Sequence, residues 1–430
     1  EQTYNLCILV AENWFPIKFN IRLEHNHWSG AWYAMGGINL LIADQVINRD
    51  WFWGPGEFVK DGKAVKRKVI DLLAQENLRP IQEGELEAFK KKLEVADSWS
   101  SRSKTVHDVV GSVLVHNPWS YFNPLVERRL GTLEKPKQVV LEDELELAND
   151  HRRQRHSRVH DDSEGNQRLP FVRAFSLDLK EYVYIDAEVI REHSFDDSAR
   201  SKLVLPDKMQ RILDMIFATD ADDIFGDMFS SRHGGMIVLA NGKPGVGKTL
   251  TAEVFAEHTQ RPLYVLEMGE LGTNLNTVEQ NMMKIFMRAT RWNAILLFDE
   301  ADVFLSKRGE DLDRNAIVGV FLRLLDHYDG MLFLTTNRKE VLDPAFQSRI
   351  TLYLDYPDLA PQAREQIWRH LLTAAGFELS GGLDRVREHN INGRQVRNIV
   401  RLLRITADGR TKVCEDDIIP LFDFTFKAEE

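Results

Sequence analysis

Cysteine is nearly absent. Cys7 and Cys414 are the only two in 430 residues, and they stand at opposite ends of the chain. That excludes a disulfide-stapled secreted scaffold and points to a reducing compartment, so a cytoplasmic protein is expected. Long apolar runs are missing as well. The best candidate, Ile38–Ile47, is short and interrupted by Asn39, Asp44 and Gln45, whereas a bilayer span takes ~20 apolar residues. No membrane association is expected. Positive charge is not in excess: 55 Lys and Arg face 66 Asp and Glu, a net charge of -11, which argues against a protein that coats nucleic acid. No His-Glu-x-x-His occurs, which removes that class of zinc protease. His25 and His27 alternate and would share one face of a strand, but no further Cys/His cluster lies near them. An ordinary structural role is therefore expected rather than a metal site. What is present, 43% apolar and 28% charged residues, is the balance of a globular protein of two or three domains.

Aromatic residues crowd the first third. Seven of the nine tryptophans (Trp14, Trp28, Trp32, Trp51, Trp53, Trp99 and Trp119) lie there, and disordered segments are poor in aromatics. A folded α+β N-terminal domain over residues 1–135 is expected, its aromatics forming core or a partner-binding face. Tyr4–Val10 and Trp51–Trp53 read as strands. Glu85–Val95 reads as an amphipathic helix with Leu86, Phe89 and Leu93 at helical spacing. Residues 136–170 then change character. The acidic run Glu142–Glu146, the basic run His151–Arg158 and a second acidic run from Asp161 read as a charged connector. Alternation over Phe171–Lys180, followed by Tyr182–Ile185, predicts a small β element within 171–199, a hairpin beside the downstream module. Asp207–Phe217, with Met209, Ile212, Leu213 and Ile216 on one face, predicts a helix.

The second half is organised around Gly242-Lys243-Pro244-Gly245-Val246-Gly247-Lys248-Thr249, which fits G-x-x-x-x-G-K-[ST]. It follows an apolar run, Met236–Ala240, and precedes the helical pattern Leu250–Ala256. A triphosphate carries several negative charges. Glycines let backbone N–H groups approach its oxygens without an intervening Cβ, and the following helix N-terminus adds further donors. Gly242, Pro244, Gly245, Val246, Gly247, Lys248, Thr249 and Leu250 are therefore the candidate nucleotide-binding residues, with Lys248 on the β- and γ-phosphates and Thr249 on Mg²⁺.

A second apolar run, Ala294–Phe298, ends in Asp299-Glu300. Ligands of parallel α/β sheets sit at that end of the strands. Asp299 with Thr249 is the candidate Mg²⁺ pair, and Glu300 is the candidate general base for an attacking water. Asp299-Glu300-Ala301-Asp302 also spells a helicase-like motif, but no Ser-Ala-Thr follows and no second helicase-like lobe is visible. A third run, Met331–Thr336, ends in Asn337-Arg338, and Asn337 is placed to hold the attacking water or the γ-phosphate.

These motifs, with Asp343-Pro344-Ala345 preceding Arg349, resemble in kind and order the AAA family of AAA+ ATPases over residues ~200–425. The resemblance implies an α/β P-loop nucleotide domain with a parallel sheet at 200–358. It also implies a small α-helical lid at 359–430 and assembly into a six-membered homo-oligomeric ring. In the lid, Pro361–Gly376 is helical with Ile367, Leu371 and Leu372 inward, and Gly393–Val400 resembles the sensor-2 segment, so Arg394 is expected at the γ-phosphate. Arg349 is the candidate arginine finger for a neighbour's nucleotide, and it stands alone where many relatives carry a pair. The region that supplies an aromatic gripping loop in family unfoldases reads Gly269–Glu279 here, without an aromatic, leaving Leu271 or Leu275 as the apolar contacts.

The function expected is ATP hydrolysis with Mg²⁺, driving the remodelling of a protein target recruited by the N-terminal domain. A nucleotide-gated switch or scaffold is the alternative favoured by the missing aromatic. A nucleic-acid motor is the lesser one, resting on the basic run at 152–158.

Overall fold

A computed structural model describes residues 2–10, 13–26, 31–42, 45–53, 59–60, 63–64, 78–116, 125–142, 167–218, 235–272, 274–305, 312–338 and 343–425. His27, most of the basic and acidic runs of the expected connector, and the tryptophans at 28 and 119 lie outside the described residues. The chain divides into two compact units, 1–193 and 194–430.

Besides a small two-stranded sheet, Val59–Lys60 with Lys63–Ala64, the first unit holds two large sheets. One is built on β1 (Gln2–Val10), β2 (Asn13–Asn26), β3 (Ala31–Ile42) and β4 (Gln45–Trp53), joined by β5 (Leu78–Pro80) on the β1 edge. The expected helix is α1, Glu85–Ser100, longer by a turn than its periodicity suggests. Phe89 and Ala96 are its buried residues, but Leu86 is half exposed, so the inward face is set by Phe89 and not by Leu86. The second sheet contains β6 (Val106–Val109), β7 (Ser112–His116), β8 (Leu125–Arg129), β9 (Lys137–Leu141), β11 (Phe171–Ser176), β12 (Glu181–Asp186) and β13 (Ile190–Glu192). Its order is β8-β7-β12-β11-β9-β6-β13, antiparallel throughout. The intervening β10 (Gln167–Leu169) runs parallel to β3 in the first sheet.

Two sequence expectations are corrected here. Residues 171–186 are a hairpin but not a separate element, because β11 pairs with β9 and β12 pairs with β7. Lys137–Leu141, read as connector, is a central strand of that sheet. Its Val139, Val140 and Leu141 are buried, and the charged residues that follow them in the sequence masked the signal. The core there is a layer of small β-branched side chains, Val109, Val113, Val139, Val172 and Val183 among them, the residues that pack best on a pleated surface.

The second unit begins with α2, Asp207–Ala218. Its sheet has five parallel strands: β14 (Met236–Gly242), β15 (Leu263–Leu266), β16 (Ile295–Phe298), β17 (Met331–Thr336) and β18 (Leu352–Tyr356). They stand in the order β15-β16-β17-β14-β18. Ile295–Phe298 and Met331–Thr336 are buried at every position, as strands covered by helices on both faces must be. The covering helices include α3 (Lys248–Thr259), α4 (Leu275–Arg291) and α5 (Leu312–Leu325). The lid follows, with α6 (Pro361–Ala374), α7 (Asp384–Glu388) and α8 (Gly393–Thr406). It has its own core, in which Trp368, Leu372, Val396, Ile399 and Leu403 meet.

Candidate active site

The strand order sets the site. β14, β17 and β16 are neighbours, and each delivers its polar residues at its C-terminal end. The loop after β14 is the glycine-rich stretch. Gly242 (φ 155°), Gly245 (φ 78°) and Gly247 (φ 107°) all lie where L residues are strained. A Cβ on Gly242 would stand 2.7 Å from the Tyr356 side chain, and one on Gly245 would stand 2.7 Å from that of Asn392. The loop therefore carries glycine for close packing on both of its sides, not only for approach to a ligand.

Lys248 begins α3 and is buried. Its Nζ donates to the carbonyl oxygens of Gly242 (2.6 Å) and Lys243 (2.8 Å) and to Asn337 Oδ1 (2.8 Å). Burial pushes its pKa below the ordinary lysine value, a shift opposed by the Asp299 carboxylate. Thr249 Oγ1 donates to Asp299, 3.1 Å and 3.2 Å from its two oxygens. The candidate phosphate-binding, metal-binding and sensor residues are thus brought together. Glu300 sits in the turn after β16 with φ 56°, a left-handed conformation uncommon outside glycine.

Thr335 holds that turn. Its Oγ1 donates to Asp299 Oδ1 (2.6 Å) and accepts the Glu300 N–H (2.8 Å), and its carbonyl accepts the Ala301 N–H (2.8 Å). Its neighbour Thr336 donates to Asp302. By spelling, the Thr-Thr pair belongs to the sensor motif with Asn337 but carries no contact of its own. One hydroxyl fixes both the Asp299 carboxylate and the backbone of the strained Glu300. Thr335→Val keeps the shape, strips Asp299 of a donor and leaves the Glu300 N–H unsatisfied, at a cost of about 1–3 kcal/mol. The expected result is a ten- to hundredfold lower turnover number for ATP, on the order of that free energy applied to the catalytic turn, measured by phosphate release beside a thermal melt.

A second missed contact lies behind the loop. Thr251 Oγ1 and the Tyr356 hydroxyl share a buried hydrogen bond of 2.5 Å across 105 positions of sequence, tying α3 to the end of β18. A third joins lid to loop. Gly393 N–H donates to Gly245 O (2.9 Å), and Asn392 and Gln395 form a capping box at the start of α8.

Between core and lid runs a cleft of about 420 Å³, within the range that holds small ligands. Its polar lining residues are Lys248, Thr249, Asp299, Glu300, Asn337, Arg394 and Arg397, with Lys202 and Glu253. Its apolar lining residues include Leu203, Val204, Ile367 and Leu371, and His370 lines it too. Pro244, Val246 and Leu250 line it as well. The cleft thus offers both polar groups suited to phosphates and apolar side chains suited to a flat base. Thr249 and Asp299 present hard oxygen donors side by side, the ligand type Mg²⁺ prefers.

Arg349 is not among the residues that line the cleft. Its Nε and one terminal nitrogen donate to the two Asp326 oxygens (2.7 Å and 2.9 Å), and the other donates to Ala345 O (2.7 Å). This pairing holds the Asp326 carboxyl below its ordinary pKa. Of the two leucines considered as substrate contacts, Leu271 is buried and so is excluded, while Leu275 is exposed at 38%.

No helix among the described residues is long and apolar enough to cross a membrane. The sequence pattern of the ATPase family associated with various cellular activities (AAA) matches residues 238–357. An uncharacterised AAA family ATPase of Sinorhizobium fredii is 33% identical over 131 residues, 29% of this chain and 40% of that protein. The ATPase family AAA domain-containing protein 3A homolog of Drosophila melanogaster is 27% identical over 180 residues, 40% of this chain and 29% of that protein. The 26S proteasome regulatory subunit 8 homolog of Schizosaccharomyces pombe is 28% identical over 161 residues, 34% of this chain and 40% of that protein. Each match spans less than half of the relative's length. The parallel sheet, the loop and carboxylate geometry and these matches agree that residues 238–357 form a domain of the AAA family of ATPases.

Proposed function

We propose that the protein hydrolyses ATP in the cleft between core and lid and uses the cycle to remodel a protein target recruited by its N-terminal unit. One observation supports this above all: Lys248, Thr249, Asp299, Glu300 and Asn337 converge at the ends of three adjacent parallel strands, linked through Thr335. In this reading the loop N–H groups and Lys248 bind the β- and γ-phosphates, Lys248 exchanging its present oxygen partners for phosphate. Thr249 and Asp299 hold Mg²⁺, which supplies charge neutralisation on the phosphate oxygens when bound. Glu300 orients a water in line with the γ-phosphorus and takes its proton. The new O–P bond forms as the bond to the β-phosphate oxygen breaks. Asn337 positions that water, and Arg394 reads the γ-phosphate from the lid.

Arg349 acts on a second copy. Its own Asp326 and Ala345 O hold the guanidinium, which does not line the cleft of its own chain, and each terminal nitrogen keeps an N–H for a neighbour's phosphate. A head-to-tail ring, six-membered in this reading, supplies that neighbour at every site. The test is Lys248→Ala assayed for ATP hydrolysis and for target remodelling. Loss of both, with a rate drop of about 10²-fold or more, is expected. Remodelling that persists without hydrolysis would sink the proposal.

A nucleotide-gated switch is the second reading. The burial of Leu271 favours it, because the stretch 269–279 then offers Leu275 as its apolar grip. Slow turnover combined with tight, ATP-dependent partner binding would select it.

A further inference from the structure

Residues 359–430 contain nine arginines. Five are engaged with a carboxylate or another oxygen of the lid, as Arg387 is with Glu365 (2.8 Å) and Arg385 with Asp416 (2.7 Å). The other four, Arg394, Arg397, Arg401 and Arg404, all belong to α8 and are exposed. None makes a hydrogen bond or an ion pair with a described residue, while Val396, Ile399 and Leu403 of the same helix are buried in the lid core. Steps of three, four and three put the four guanidinium groups on one face, a line about 15 Å long at 1.5 Å per residue. Like charges at that spacing repel one another, and cations in the first turn oppose the helix dipole. The stripe therefore costs the helix stability, and it stands in a chain of net charge -11.

We propose that this face of α8 docks an acidic segment of a protein partner, and that ATP in the cleft competes with it for the inner arginines. Charge complementarity sets the sign of the occupant. Ile405, 78% exposed at the outer end beside Arg401 and Arg404, sets its class: it offers contact to an apolar side chain, and a phosphate backbone has none. The acidic chain as a whole also repels a polynucleotide at long range. Exposed ion pairs are individually weak, so the docking is modest in affinity and falls with salt. The nucleotide coupling follows from position, since Arg394 and Arg397 line the cleft whereas Arg401 and Arg404 do not. A carboxylate held by the inner pair and a γ-phosphate exclude each other, and linkage makes the effect reciprocal. The coupling rests on the ATP reading of the cleft. The docking does not.

The experiment uses the full chain and a fluorescein-labelled glutamate-rich peptide carrying one leucine, read by fluorescence anisotropy at low salt. The peptide is expected to bind the nucleotide-free protein. Arg401→Glu with Arg404→Glu weakens it about tenfold or more, as loss and reversal of two exposed pairs implies. Saturating ATP on a Glu300→Gln background weakens it by about tenfold, within the usual range of coupling between sites. Circular dichroism and labelled-ATP binding check the fold of the double variant, and Arg401→Gln with Arg404→Gln serves if the reversal unfolds. Unchanged peptide affinity in a folded double variant overturns the docking. So does tighter binding of a labelled oligothymidylate lost in the same variant, which makes the stripe a polynucleotide face. A variant that alters only the ATP-dependent mass of the protein also overturns it and makes the stripe a contact between copies. Peptide binding indifferent to bound ATP overturns the coupling alone. Failure of the wild type to bind ATP at all counts against the function proposed above and leaves the nucleotide-free docking result to be judged by itself.

Discussion

Glu300→Gln should lower ATP turnover about 10²–10⁴-fold, the usual contribution of a positioned general base, while ATP stays bound. The amide matches the carboxylate in shape, so the left-handed turn at φ 56° and the N–H bond to Thr335 are kept. What disappears is the acceptor for the water's proton. The loop, Lys248 and Asn337 are untouched, so the affinity for ATP changes little. The measurement is single-turnover hydrolysis beside retention of labelled ATP, followed by light scattering with ATP and Mg²⁺. A trapped ring near six subunits would agree with Arg349 acting between copies. An unaltered single-turnover rate would remove Glu300 from its proposed role.

Arg349→Ala should reduce turnover about 10³-fold or more, the scale of an arginine that neutralises transition-state charge. The distinctive expectation concerns mixtures. Arg349→Ala keeps its loop but lacks the finger, and Lys248→Ala lacks a working loop but keeps the finger. Each is nearly inactive by itself. Random mixing in a head-to-tail ring pairs an intact loop with a neighbour's intact finger at about a quarter of the sites, so equimolar mixing should restore roughly that share of activity. A mixture no more active than its parts would place Arg349 in a structural role. That role is available, because the Asp326 pair and the bond to Ala345 O pin the end of α5 to the segment after Pro344.

The ATPase unit was legible because its chemistry constrains spelling. The proposed phosphate site accounts for Gly242, Gly245 and Gly247, and a strand buried on both faces reads as an apolar run that stops at its polar residue, as Phe298 stops at Asp299. The contacts that join those motifs were not legible. Thr251 and Tyr356 are separated by 105 positions, and Thr335 and Asp299 by 36. Nothing local in a threonine announces such a partner. In the first unit the pattern was weaker still. Antiparallel pairing depends on register between distant strands, so the charged residues after Leu141 hid a central strand, and the hairpin at 171–186 gave no sign of pairing with β7 and β9.

The bond between Gly393 N–H and Gly245 O has a mechanical meaning. It joins the first residue of a 14-residue helix to the glycine-rich loop, so α8 is a lever with its pivot at that loop. At 1.5 Å per residue the arm is about 21 Å long, and a rotation of about 10° at the pivot carries its far end nearly 4 Å. A small turn at the loop thus arrives at Arg404, 11 residues along, as a movement of about 3 Å, the width of a water molecule.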